Sequence, residues 1–189
     1  MPSGLRRLHG GGQGHYLTFS CYKRQPFLAE PETRDAFERK LEQTRAKFDF
    51  IISAYVIMPE HVHLLMSEPR IGEFREAIHW MKLSFSKSMR KGRFWQERGY
   101  DFNVFSEKKW AEKVVYIHLN PVRRKLVTRA QDWRWSSAGA YEALQCGVVR
   151  IHSIHEARQD PKLDLDKALG KPPEPPKSSN GGPEENQKQ

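Results

Sequence analysis

With 189 residues, a formal net charge of +9 and 11% aromatic side chains, the chain is sized for one domain with appendages, and it suits a nucleic-acid partner better than a membrane surface. Its two cysteines, Cys21 and Cys146, form no CxxC pair and read as free thiols in a reducing compartment rather than a disulfide framework. No apolar run reaches the length of a membrane span, and the glycine-rich start holds no signal-like apolar stretch, so a soluble, cytoplasmic protein is expected.

Residues 1–14 form a flexible lead-in, residues 15–145 the folded domain, residues 146–170 a C-terminal extension and residues 171–189 a proline-rich tail expected to be disordered. In the tail Lys171, Lys177 and Lys188 balance Glu174, Glu184 and Glu185. The net positive charge therefore lies wholly before residue 171.

Residues 15–22 alternate with β-branched and aromatic side chains, which predicts a first strand. Ala36, Phe37, Leu41 and Phe48 then recur near helical spacing, and Pro31 marks a helix start over 30–48. Residues 49–57 and 61–67 form two strands around the Met58-Pro59-Glu60 turn, an antiparallel hairpin. Successive side chains of a strand point to opposite faces, so His61 and His63 share one face while Val62 and Leu64 take the other. Two adjacent imidazoles are half of a metal site, although the same spacing also occurs on solvated strand faces.

A second helix over 73–89 carries Phe74, Ala77, Ile78, Met81 and Phe85 on its apolar stripe. Around its end stand Lys82, Lys87, Arg90, Lys91 and Arg93, a cluster that suits either phosphate contact or a solvated helix terminus. A short fourth strand over 101–105 precedes a third helix over 107–120, capped by Ser106 and stopped by Pro121, with Val114, Val115 and Leu119 as anchors. Tyr116 and Asn120, four apart, project from one face of it. The order βαββαβ predicts an α+β fold, a ferredoxin-like antiparallel sheet with an added C-terminal helix carrying the tyrosine.

Three segments together resemble one known family. Met58-Pro59-Glu60-His61-Val62-His63-Leu64-Leu65, Tyr116-Ile117-His118-Leu119-Asn120-Pro121-Val122 and Trp133-Arg134-Trp135-Ser136-Ser137 are similar to the single-tyrosine HUH transposases of bacterial insertion sequences, within them to the REP-associated tyrosine transposase branch. The likeness spans residues 15–141. It implies a nuclease domain that cleaves and rejoins single-stranded, hairpin-flanked DNA through a 5′-phosphotyrosine, as a monomer or homodimer. By residue match it makes His61 and His63 paired metal ligands, Asn120 the third ligand and Tyr116 the nucleophile. One departure stands out, for the stretch after Asp101 lacks the basic residue the family leads one to expect.

The chemistry agrees with those residue types. Two imidazoles and an amide oxygen leave coordination positions open and suit Mg²⁺ or Mn²⁺ better than a closed structural zinc. A phenol with a reference pKa of about 10 needs help to ionise at neutral pH. Strand rejoining through a phosphotyrosine needs no nucleotide, and the sequence holds no GxxxxGK[ST] run.

Arg123, Arg124 and Lys125 follow the tyrosine helix as candidate DNA contacts, together with Arg129 and Arg134, while Trp133 and Trp135 are expected to seal the core rather than stack on an unpaired base. His15 is read as a core or edge histidine rather than one near the site, His118 as a helix-surface residue or a DNA contact, and Glu60 as a turn residue beside the ligands, with support of a ligating histidine as the lesser alternative. Two rival readings remain, a replication-initiator or relaxase nuclease of the same chemistry and a catalytically silent nucleic-acid-binding regulator. A short chain with one candidate tyrosine speaks against the first, and the joint presence of His61, His63, Tyr116 and Asn120 against the second.

Overall fold

The computed structural model describes residues 14–89, 92–142 and 147–152. The proline-rich tail, Cys146, Arg90, Lys91 and most of the lead-in and the C-terminal extension lie outside them. In chain order the structure runs β1 (Gly14–Ser20), α1 (Pro31–Phe48), β2 (Ile52–Ile57), β3 (His61–Ser67), α2 (Phe74–Ser88), β4 (Tyr100–Val104) and α3 (Glu107–His118), followed by the short α4 (Asn120–Arg123) and α5 (Ala138–Tyr141). The four strands form one sheet in the order β2-β3-β1-β4, every neighbouring pair antiparallel. This is the split βαβ arrangement expected from the sequence.

Strand alternation sorts the core into two layers. Leu17, Phe19, Ile57, Val62, Leu64 and Met66 pack with Phe37 and Leu41 of α1 and Met81 and Phe85 of α2. Tyr16, Ala54, Val56 and Leu65 face the other way, onto Trp110, Val114 and Ile117 of α3. Both faces are therefore covered, and β2 and β3 are buried along their whole length. His61 and His63 lie under α3, not on a solvated face.

Several boundaries differ from the sequence reading for identifiable reasons. The second strand starts at Ile52 because Asp49 takes the left-handed C-cap of α1 (φ 48°). Tyr22 leaves β1 for a single 3₁₀ turn over Tyr22–Arg24. On α3 the anchors are Trp110, Val114 and Ile117, at true helical spacing, while Val115 is 53% exposed. The helix does not reach Asn120. It ends at His118, and α4 restarts with Asn120 and Pro121, since a proline ring has no N–H to continue the ladder and crowds the preceding turn. Ser106 caps the start of α3, its Oγ accepting from Lys109 N at 3.2 Å.

Two close fits hold α3 against the sheet. Gly14 lies so near the Trp110 ring that a Cβ there would come within 2.2 Å of it. Trp133, on the same layer, donates from Nε1 to Ile57 O at 3.1 Å. Behind it the 135–137 segment covers the outer edge of β2, with Ile57 N donating to Trp135 O at 2.9 Å and Ser137 N to Tyr55 O at 3.0 Å. The tryptophans thus seal the core. No described helix is long and apolar enough to cross a membrane.

Candidate nuclease site

The β1–β3 register sets Thr18 opposite His63 and Ser20 opposite His61. The two imidazoles turn toward each other, with Nε2 of His61 3.1 Å from Nε2 of His63. Their other ring nitrogens are held from outside. His61 Nδ1 lies 3.1 Å from Glu60 Oε1, and that oxygen also accepts from Arg124 Nη1 at 2.7 Å. His63 Nδ1 lies 2.8 Å from Thr18 Oγ1 and 2.9 Å from Tyr16 OH. Each ring is fixed on the Nδ1 side so that its Nε2 points into one shared space.

The break between α3 and α4 brings Asn120 to the same space, its amide Nδ2 3.1 Å from His63 Nε2. A half-turn of a terminal amide exchanges its nitrogen and oxygen, so this group can present oxygen there. Tyr116, one turn earlier on α3, sets its ring edge-on to His63 at 5.4 Å and to Tyr16 at 6.1 Å. Tyr116 is 39% exposed and Tyr16 only 4%. Of these two phenols, Tyr116 is the one a large substrate can reach.

Burial governs the charges. It pushes the His63 imidazole down to about 3, with repulsion from His61, Lys113 and Arg24 in the same direction. Burial also lowers His61, and Glu60 offsets part of that effect. For Glu60 burial works to raise the carboxyl, but the Arg124 guanidinium and His61 outweigh it and hold it below its usual value. Burial raises the Tyr16 phenol above its usual value, which keeps it protonated. Two neutral imidazoles with their Nδ1 atoms engaged and their Nε2 atoms free to converge have the form a divalent metal requires. Among the described residues no group of three His, Cys, Asp or Glu is placed to hold a metal, and the polar side chain that stands beside the two imidazoles is the Asn120 amide. The donor set of His61, His63 and Asn120 fits an open-sided site for Mg²⁺ or Mn²⁺.

The remaining sequence candidates scatter. Arg124 is committed to Glu60, and Arg123 sets its guanidinium 5.3 Å from the centre of the Tyr116 ring. Lys125 is exposed with a left-handed backbone (φ 57°). Lys87 is exposed at the end of α2, far in sequence from the histidines but free of the core. Lys82 is drawn into packing, donating to Gln96 O at 3.2 Å, and Arg93 pairs with Glu97 at 3.2 Å. Lys82 is thus engaged by the protein itself, while the Arg93–Glu97 pair is exposed. His15 turns to the opposite face of the sheet, where it stacks on Phe74 at 4.1 Å beside Asp101 and Glu68. His118 is half-buried, its Nε2 2.8 Å from Ser137 Oγ. Glu60 takes the lesser of its two expected roles, holding His61, and Tyr16 and Thr18 join the site without a signal in the sequence. Strand register brings them there, pairing residues 45 and 47 positions apart.

Comparison with known proteins agrees with this geometry. The model of the family described as "Transposase IS200 like" matches residues 13–120. A REP-associated tyrosine transposase of Escherichia coli is 30% identical over 90 residues, covering 47% of this chain and 54% of that protein. A Haemophilus influenzae protein, provisionally named a REP-associated tyrosine transposase, is 28% identical over 116 residues, covering 53% of this chain and 66% of its own length. The matched part thus spans about half to two thirds of those relatives. A solved REP-associated tyrosine transposase bound to a REP hairpin superposes with a TM-score of 0.66 at 23% identity, over 75% of this chain and 86% of that one. The fold is shared.

Proposed function

Because the chain belongs to the IS200-like transposase family, we propose that it cleaves and rejoins single-stranded DNA through Tyr116, with His61, His63 and Asn120 holding Mg²⁺ or Mn²⁺. The observation that carries this reading is the convergence of the two Nε2 atoms at 3.1 Å beside the exposed Tyr116. A hairpin-bearing strand is the proposed substrate, supported by the REP hairpin bound to the structurally similar protein.

In the reaction the Tyr116 oxygen attacks phosphorus, its proton passing to solvent, and the bond from phosphorus to the 3′-oxygen breaks. The leaving oxygen takes up a proton and becomes a 3′-hydroxyl, while the 5′-phosphate stays on Tyr116. A 3′-hydroxyl of another strand then attacks the same phosphorus and restores the phenol. The phosphodiester bond is conserved throughout, so no nucleotide is consumed. When bound, the metal supplies charge neutralisation and orientation of a phosphate oxygen. The chain's own part is to hold His61 and His63 neutral, fix their rings through Glu60, Thr18 and Tyr16, and present Tyr116 at the open side. The protonated, buried Tyr16 orients a histidine and does not compete as nucleophile.

The test is to incubate labelled hairpin-bearing single-stranded DNA with the protein and Mn²⁺ and to run the products under denaturing conditions. A covalent adduct is expected from the parent, none from Tyr116→Phe, and none from the parent with the metal chelated. An adduct from Tyr116→Phe equal to that of the parent refutes the assignment.

A further inference from the structure

Lys113 stands three residues before Tyr116 on α3, on the same side of the helix. Its ammonium lies 4.3 Å from the centre of the Tyr16 ring, 5.5 Å from that of Phe102 and 5.9 Å from that of Tyr116. Three aromatic faces thus surround a cation that makes no ion pair and no hydrogen bond among the described residues. The adjacent Glu112 carboxylate pairs with Lys109 at 2.7 Å. Burial lowers Lys113, with repulsion from Lys109 in the same direction and Glu112 offsetting part of it, so the charge is held partly out of water without an ion pair of its own among the described residues.

The other charges around Tyr116 sharpen the point. Arg123 approaches the ring from α4 at 5.3 Å and is likewise free of any ion pair among the described residues. Glu60, the carboxylate bonded to a site histidine, is already shared by His61 and Arg124. The space beside Tyr116 is bounded by two cations with no carboxylate committed to either. Such an arrangement fits an anion brought by the substrate, and the phosphates of DNA are that anion.

Resting on the reading of Tyr116 as nucleophile, we infer that Lys113 is a phosphate-contacting residue of the reaction centre, receiving the DNA phosphate that lies against Tyr116. Its ring cage holds the ammonium in place, so the cation is positioned before the strand arrives. Arg123, from α4, provides the second cationic contact.

Two readouts on the full chain test this with Lys113→Gln, which removes the charge, and Lys113→Arg, which keeps it. The first is the salt dependence of hairpin-bearing single-stranded DNA binding without divalent metal, which needs no chemistry at Tyr116. Loss of one phosphate contact lowers the slope of log affinity against log salt by about 0.7 for a single strand, and that drop is expected for Lys113→Gln and not for Lys113→Arg. The second is single-turnover adduct formation with Mn²⁺, expected to fall about 100-fold in Lys113→Gln and to recover largely in Lys113→Arg. An unchanged salt slope overturns the inference even if Tyr116 proves to be the nucleophile. A lowered slope with parental adduct formation overturns the placement beside Tyr116. Equal losses in both variants mark Lys113 as packing alone and overturn it as well. Absence of any Tyr116-dependent adduct from the parent overturns the reading of Tyr116 itself.

Discussion

His61 and His63 present their Nε2 atoms to each other at 3.1 Å, while Glu60 engages the Nδ1 of one and Thr18 the Nδ1 of the other. Period-two alternation aims the two rings at one side of the sheet, and the partners on β1 and in the β2–β3 turn fix their rotation. Replacing either histidine by alanine is expected to abolish Mn²⁺ binding in calorimetry and to leave the fold intact by circular dichroism. Retention of parental affinity in His61→Ala contradicts the assignment.

Glu60 acts on the metal ligand through His61. Glu60→Gln keeps the size of the side chain but removes the charge that both His61 and Arg124 engage. Metal affinity is expected to fall about 10–100-fold, as for other groups that orient a ligating histidine. Arg124→Met, which leaves Glu60 with His61 alone, is expected to give a smaller loss. Calorimetric titration of the two variants in parallel checks the order.

Much of this was legible in the sequence, because it depended on local period. The alternation over 61–67 located β3 to the residue and put both histidines on one face. The apolar spacing of α1 and α2 found Phe37, Leu41, Phe74, Met81 and Phe85. What escaped depended on relations between distant segments. Tyr16 and Thr18 meet His63 through the antiparallel register of β1 with β3, which alternation within one strand does not specify. The role of Glu60 depends on Arg124, delivered by a helix that restarts at Pro121. Lys82 looks like a free cation in the sequence, yet the chain at Gln96 folds back to accept from it.

The fit of α3 against the sheet predicts a stability effect far from any charge. In Gly14→Ala the new methyl meets the Trp110 ring within 2.2 Å, so the ring or the helix has to shift. Overpacking of this kind destabilises by about 1–3 kcal/mol, read as a lower urea midpoint. Because Trp110 and Tyr116 share α3, adduct formation is expected to fall as well.

His118 predicts an acid limit to stability. Burial pushes its pKa down from 6.5 to about 4, so between those values the unfolded chain binds a proton that the folded chain does not. Its contribution is fully present above pH 6.5 and is lost as pH falls toward 4, a difference of roughly 3 kcal/mol at about 1.4 kcal/mol per unit. His118→Gln can keep a hydrogen bond to Ser137 without titrating. Urea unfolding between pH 7 and 4 is expected to show a shallower loss in this variant than in the parent.

The most direct measurement maps the covalent bond itself. After reaction with hairpin-bearing single-stranded DNA and Mn²⁺, nuclease trimming, protease digestion and mass spectrometry should find a nucleotide remnant on the peptide containing Tyr116, joined through its 5′-phosphate. A remnant on Tyr16 or Tyr100 instead, or one joined through a 3′-phosphate, would contradict the account.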